Sequence, residues 1–436
     1  VDDGTTAETY PLSFGQEKRV LSLGPGRLPN APLQAWVRIS GPLDTGALSR
    51  SLRDMTERHA ALRVRLVQAP DATMRQVVLP PDQAGITLSK KLVQCDSEDQ
   101  FGNYAGRLGQ ALSGRPWDWS AEPPAQFHLL RYSPDFHVLL AQFASFAVDG
   151  LSRGVFMRDL WASYEKHRDG AAAGGPRGLP GAGRLGEALN REQTRFSQRS
   201  ATVNRRYWTN RFSAISASTA PPARADGVTL RPAVTHEARL AGAELEQVRR
   251  NCDRESATLC QWSVMCFALM LFQETAADRV AITIPMDTRE SQDQDVMGMF
   301  SLALPLVVTR SHDPSTVLRS VKNEMMQALL HRHIRARDLV DSGYGSTSAG
   351  SERFKLRYLE YLDAPVVTLA DGLRLAQEAY PPPVPSYASE GIDFIIGAFP
   401  DSLDLSLGFA PEQWDRTRSA AFSAALRARL LTAITP

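Results

Sequence analysis

Cysteine is scarce in this chain, with four in 436 residues. Cys95, Cys252, Cys260 and Cys266 form no C-x-x-C pair and have no histidine at zinc-ligand spacing, so a disulfide framework and a metal site both lack support. Cys260 and Cys266 fall inside an apolar stretch and read as small core residues. A long hydrophobic run is also missing: the best, Val264 to Phe272, stops far short of the roughly 20 residues a membrane-spanning helix needs. Charge of one sign is missing too. Lys and Arg number 49 against 48 Asp and Glu, for a net charge of +1, and no block of like charges stands out. Neither nucleic acid nor an anionic membrane is favoured as a main partner. The opening residues, Val1-Asp2-Asp3-Gly4, carry no basic and apolar export signal, which makes a cytoplasmic location the expectation.

With 43% hydrophobic and 22% charged residues the composition is that of an ordinary globular protein. A length of 436 residues exceeds the size at which one core keeps growing, so two subdomains are expected. Gln34 to Ser40 alternates apolar and polar residues as a half-buried strand does, and Gly41-Pro42-Leu43-Asp44 turns the chain. Asp44 then caps a helix whose apolar face holds Leu48, Leu52 and Met55. Further strands are read at Arg75 to Leu79, Ala125 to Tyr132 and His137 to Phe143, the last followed by an amphipathic helix from Leu151 to Tyr164. The second half reads as helices from Leu240 to Cys252 and Ser256 to Glu274, a buried strand from Val280 to Ile284, and a final helix from Pro411 to Thr432. Ala171 to Gly186, rich in Ala, Gly and Pro, is the best linker and divides the chain into lobes of residues 1–170 and 187–436. Asp341 to Gly350 and Pro381 to Pro385 read as further loops.

The most informative stretch is Phe143-Ala144-Ser145-Phe146-Ala147-Val148-Asp149-Gly150-Leu151-Ser152. It resembles the M-H-H-x-x-x-D-G-x-S motif of the condensation domains of nonribosomal peptide synthetases, with Ala144 and Ser145 at the two histidine positions. The flanking chain repeats the family order. Tyr10-Pro11-Leu12-Ser13-Phe14-Gly15-Gln16 resembles the opening Y-P-L-S-x-x-Q, and Arg58-His59-Ala60-Ala61-Leu62-Arg63 is similar to R-H-E-x-L-R. Leu259 to Pro285 looks like the family's long buried helix and following strand, Gly298-Met299-Phe300-Ser301 resembles G-x-F-V, and His331 to Val340 falls where the family has H-Q-D-x-P-F-E-x-L-V. Gly391-Ile392-Asp393-Phe394 looks like the closing D-L-x-L segment.

This resemblance implies an α/β fold of two chloramphenicol-acetyltransferase-like lobes arranged as a V, with a tunnel between them that passes Ser145. It implies no intrinsic cofactor; the substrates would be thioesters on the phosphopantetheine arm of peptidyl or acyl carrier proteins. It further implies a structural role for Asp149, paired with an arginine from the second lobe, for which Arg289 is the nearest candidate. Gly150 would supply backbone freedom or close approach at the turn into the next helix.

Attack of an amine on a thioester needs alignment of both reactants, a group to handle the amine proton, and stabilisation of the oxyanion. Histidine suits the proton role because its pKa lies near neutrality. Alanine has no titrating group, and an unassisted serine hydroxyl is not basic. Ser145 as a nucleophile would need a base within reach, and no G-x-S-x-G elbow surrounds it. His59 matches a structural position of the family. His137 is eight residues before Ser145 along a strand that advances about 3.3 Å per residue, too far to stand in for the missing imidazole. His331 and His333 lack a third ligand. Arg332, Arg335 and Arg337 suit either a phosphopantetheine phosphate or an acidic carrier helix, or form a solvated basic face. Three functions remain open: an acyltransferase working without the histidine, a degenerate domain that docks carrier proteins and recruits a tailoring enzyme such as a haem monooxygenase, and a free-standing acyltransferase using coenzyme A.

Overall fold

The computed structural model describes residues 7–23, 32–113, 115, 117–168, 184–196, 198–214, 233–342, 354–360, 366–369, 372–377 and 391–434. Of the loops expected at 171–186, 341–350 and 381–385, residues 171–183, 343–350 and 381–385 lie outside the described residues, and Asp341 ends a helix. The compact units do not follow the expected division at 171–186. Residues 1–195, 287–301 and 365–384 form the first unit, and 196–286, 302–364 and 385–436 the second. The physical reason is that two later segments return to the first unit, which composition along the chain does not signal. Helix also begins at Leu185, inside the expected linker.

The first unit holds two sheets. Strands β1 (Glu8–Pro11), β3 (Val64–Gln68) and β4 (Met74–Val78) form the smaller, in order β1-β4-β3. The larger joins β2 (Leu33–Ser40), β5 (Leu88–Leu92), β6 (Ala125–Ser133), β7 (Phe136–Phe143), β12 (Val366–Thr368) and β13 (Arg374–Gln377), in order β12-β13-β2-β7-β6-β5. Its helices are α1 (Phe14–Leu23), α2 (Thr45–Arg58), α3 (Glu98–Ser113), α4 (Gly150–Arg168) and α5 (Leu185–Arg195). Asp44 caps α2, its Oδ1 accepting the Gly46 and Ala47 N–H groups at 2.7 and 2.9 Å. Leu48, Leu52 and Met55 then pack with Phe156 and Leu160 of α4 and with Val37, Ile39, Leu139 and Phe143 of the sheet. Strand β2 is half-buried as its alternation implies, with Ala35, Val37 and Ile39 on the core face and Gln34, Arg38 and Ser40 of the other face only partly covered. On that other face Trp36 alone is buried, packing with Leu130, Val138 and Leu140 and with Phe101 and Ala105 of α3.

The second unit is one six-stranded mixed sheet with helices. Strands β8 (Val234–Ala241), β9 (Arg279–Asp287), β10 (Ser301–Thr309), β11 (Phe354–Glu360), β14 (Ile392–Ala398) and β15 (Ser402–Phe409) run in order β10-β9-β11-β14-β15-β8. The helices are α6 (Gln198–Ala214), α7 (Ala243–Arg254), α8 (Leu259–Thr275), α9 (Pro314–Leu330), α10 (Ala336–Asp341) and α11 (Arg416–Leu431). The helix expected from Leu240 begins instead at Ala243, because β8 runs on to Ala241 and Gly242 turns the chain at φ +54°. The last helix begins at Arg416 rather than Pro411, capped by Asp415. Helix α8 opens with a capping box between Thr258 and Gln261 and is apolar around its whole circumference, so it sits in the core with Trp262, Phe267 and Cys266 fully buried. Among the described residues no single helix is long and apolar enough to cross a membrane.

Candidate functional site

The site is built inside the first unit, around the six residues, 144–149, that separate β7 from α4. Asp149 caps α4: its Oδ1 accepts the Ser152 N–H at 3.0 Å and the Ser152 hydroxyl at 2.8 Å, which explains the D-G-x-S spacing. Its Oδ2 accepts the Phe300 N–H at 2.9 Å. Arg289 closes the remaining positions. Nη1 donates to Asp149 Oδ2 at 2.7 Å, and Nη2 to Asp149 Oδ1 at 3.1 Å, a fork against a carboxylate. The same guanidinium donates from Nε to the Val296 carbonyl at 3.0 Å and from Nη2 to the Gly298 carbonyl at 3.0 Å, and it stacks 4.7 Å from the Phe300 ring centroid. The side chains of Arg289 and Asp149 are 0% and 3% exposed. Burial works against charge on both. Their mutual attraction and hydrogen bonds outweigh it, holding Asp149 below the usual carboxylate range and Arg289 above its usual value.

Arg289 was expected from the second lobe, but residues 287–301 belong to the first compact unit. The whole ion pair is therefore internal to one unit. Gly150 is the first residue of α4 and is not among the glycines with positive φ, so of the two roles expected for it, backbone freedom or close approach, the first finds no left-handed turn.

The N-terminal motif braces the same loop. Ser13 and Gln16 form a reciprocal cap at the start of α1: Ser13 Oγ accepts the Gln16 N–H at 3.1 Å, and Gln16 Oε1 accepts the Ser13 N–H at 2.9 Å. Gln16 Nε2 is left free to donate to the Phe146 carbonyl at 3.1 Å, one residue past Ser145. The Ser13 hydroxyl donates to the Met299 carbonyl. Gly15 is required by this approach, since a Cβ there would stand 2.7 Å from the Ser301 carbonyl oxygen. Gly298 is required likewise, by the Phe300 ring at 2.5 Å.

Ser145 lies in the turn after β7, 6% exposed, and its hydroxyl has no hydrogen-bond partner among the described residues. Among the described residues no histidine or carboxylate bonds it. His137 is at the far end of β7, paired in register with Ile39. His59 is structural: its Nε2 lies 3.0 Å from Asp159 Oδ2, an atom that also accepts from Arg58 Nε at 2.8 Å, while Arg158 Nε reaches Asp159 Oδ1 at 2.8 Å. Burial lowers the His59 pKa, the Asp159 contact opposing it, and Asp159 is held far below the carboxylate range despite its burial. In the second unit His331 stacks on Tyr207 at 4.0 Å and bonds Asn204. Arg332 bonds the Leu329 carbonyl, Arg335 covers the Phe196 ring at 4.9 Å, and Arg337 is exposed, so the three arginines do not converge. No His/Cys/Asp/Glu group among the described residues is arranged to hold a metal ion.

Sequence reasoning missed Ser152, Glu192, Thr288 and the backbone of Phe300. Ser152 had a signal in its three-residue spacing from Asp149, the distance from an N-cap to the N–H it binds. Glu192 and Thr288 had none, because nothing in a helical glutamate marks it as buried.

The condensation-domain family model matches residues 6–352. The probable nonribosomal peptide synthetase CymA of Salinispora arenicola is 26% identical over 435 residues, covering 95% of this chain and 5% of that protein. Eight curated relatives it matches are all far longer, and the chain spans between 2% and 14% of their lengths. Among solved structures, the first condensation domain of the CDA synthetase is similar with a TM-score of 0.79 at 17% identity, over 98% of this chain and 97% of that one. The complex of the X-domain and OxyB from teicoplanin biosynthesis contains a similar chain, with a TM-score of 0.73 at 22% identity, over 98% and 93%. The family match runs through the capped N-terminal turn, the loop around Asp149 and the hairpin of Arg289 alike, and this chain is a member of the condensation-domain family.

Proposed function

We propose that this chain serves nonribosomal peptide, or hybrid peptide–polyketide, biosynthesis as a condensation-type domain that binds thioester intermediates on the phosphopantetheine arm of peptidyl or acyl carrier proteins, with reduced or altered catalysis. One observation carries the reading: Asp149 has its full set of donors, while the hydroxyl of Ser145, at the position of the usual histidine, has no partner among the described residues that would make it basic. A hydroxyl without a base neither takes a proton from an ammonium nor attacks a thioester. Whatever rate remains comes from aligning the two tethered substrates, a term that does not need the imidazole.

Recruitment of a tailoring enzyme is the second reading, supported by the likeness to the X-domain whose complex with OxyB is known. It needs a folded loop and no proton transfer, which the same observation satisfies.

Ser145→His tests both. With a cognate pair of loaded carrier proteins, product formation by wild type is expected to be slow, and restored acid–base help should raise it by about 10²–10⁴-fold. No gain, with carrier binding kept, favours recruitment. Wild-type turnover at ordinary condensation rates that vanishes in Ser145→Ala refutes the reduced-catalysis reading and makes Ser145 a working group.

A further inference from the structure

Glu192 lies on α5 with 2% of its surface exposed. Its Oε2 accepts the Phe14 N–H at 3.0 Å, and its Oε1 lies 2.5 Å from the Thr288 hydroxyl. That hydroxyl is also 2.7 Å from the Phe300 carbonyl oxygen, which already accepts the Thr288 N–H at 3.0 Å. A threonine hydroxyl has a single hydrogen, and here it sits between two apparent acceptors. If the hydrogen points to Glu192, the hydroxyl and carbonyl oxygens face each other at 2.7 Å with no proton between them, with both side chains buried. If it points to the Phe300 carbonyl, a second proton must lie between Glu192 and Thr288. The carboxyl is the only group there that can carry it.

We propose that Glu192 is a protonated carboxylic acid at neutral pH and is a positioning residue for the loop around Asp149. Its proton goes to Thr288, the Thr288 hydroxyl goes to the Phe300 carbonyl, and the Phe300 N–H goes to Asp149 Oδ2 at 2.9 Å. The chain of bonds therefore ties α5 and the N-terminal turn to the hairpin that carries Arg289. This holds whether or not the domain condenses anything.

The charges facing Glu192 agree with a neutral acid. Glu17 on α1 disfavours a second negative charge. Arg289, next to Thr288, favours one, but its guanidinium is committed to Asp149 and Asp287. On α5 itself Arg191 turns to Asp293, and Arg195 to Glu290. Burial is the largest effect and pushes the carboxyl up to about 8, against the pull of Thr288 and Phe14. Between its ordinary value of 4.5 and about 8 the folded state holds a proton that the unfolded state has lost. Stability from this group is complete at acid pH and declines as pH rises through that window.

The test is denaturant unfolding of wild type and Glu192→Gln at pH 5.5, 6.5 and 7.5. Glutamine keeps both bonds, donating from Nε2 to Thr288 and accepting from Phe14, and does not titrate. The wild-type unfolding constant is expected to rise by about tenfold per pH unit relative to the variant. Parallel pH profiles overturn the proposal. Should Glu192→Gln not fold, wild type labelled with 13C-glutamate decides: an infrared band of a protonated glutamic acid at pH 6.5 whose frequency moves in Thr288→Val supports it, and the lack of such a band overturns it.

Discussion

Replacing Asp149 by alanine should damage the fold far more than replacing Ser145, although the two lie four residues apart in one loop. Asp149 receives two bonds from Arg289, two from Ser152 and one from Phe300. Its loss leaves a guanidinium whose side chain is 0% exposed with only the partly exposed Asp287 as a carboxylate partner, and an arginine does not shed its charge in response. Breaking such a buried pair from one side costs about 3–5 kcal/mol. At about 2–4 °C per kcal/mol for a unit of this size, Tm should fall by at least about 6 °C. Ser145→Ala removes a hydroxyl that has no hydrogen-bond partner among the described residues, and its effect should stay within about 0.5 kcal/mol. Urea denaturation with an unchanged m-value measures both differences on one scale. Equal and small losses in the two variants would refute the view that Asp149 holds the loop.

Gly15→Ala should destabilise the protein even though alanine favours a helix by about 1 kcal/mol over glycine, because its Cβ would meet backbone atoms of Ser301 and Met299 that have little room to move; a thermally neutral variant would show that α1 and the hairpin are not so closely packed. His59, buried and with its pKa lowered, binds no proton in the folded state at a pH where the unfolded chain does. Its stabilising contribution is present above about pH 6.5 and is lost as pH falls, so wild type should lose more stability than His59→Gln between pH 7 and pH 5, and equal losses by denaturant titration would remove His59 from the account.

Local physics made a good part of the fold legible. Asp44 caps α2 because its carboxylate reaches two free N–H groups, and the three-to-four spacing of Leu48, Leu52 and Met55 needs no tertiary information. Helix α3 was not read, and the reason is visible in Gly109. Glycine lowers helix propensity, yet a Cβ there would lie 2.5 Å from the Trp36 ring, so packing against β2 selects the residue that the local signal penalises. Strand β13 was equally hidden. Its pairing of Leu375 with Ile39 joins segments more than 300 residues apart, and no periodicity in either names the other. The site divides the same way: the family resemblance pointed to Asp149 and Arg289, whereas Glu192 and Thr288 matter only because the chain brings them together.

The separation between what holds the loop and what would do chemistry explains how the family frame survives the loss of both histidines. The donors to Asp149 are a backbone N–H, a serine, an arginine and a helix terminus, and Gln16 holds the Phe146 carbonyl from the other side. None of these bonds involves position 144 or 145. An imidazole lost from Ser145 therefore takes away a titrating group without freeing any of the polar atoms that fix the backbone there. The reverse change is not tolerated in the same way, since Asp149 cannot leave without taking away the buried carboxylate that faces Arg289. The bonds that hold the loop therefore do not depend on the side chain at position 145, and a small substitution there is expected to change stability little.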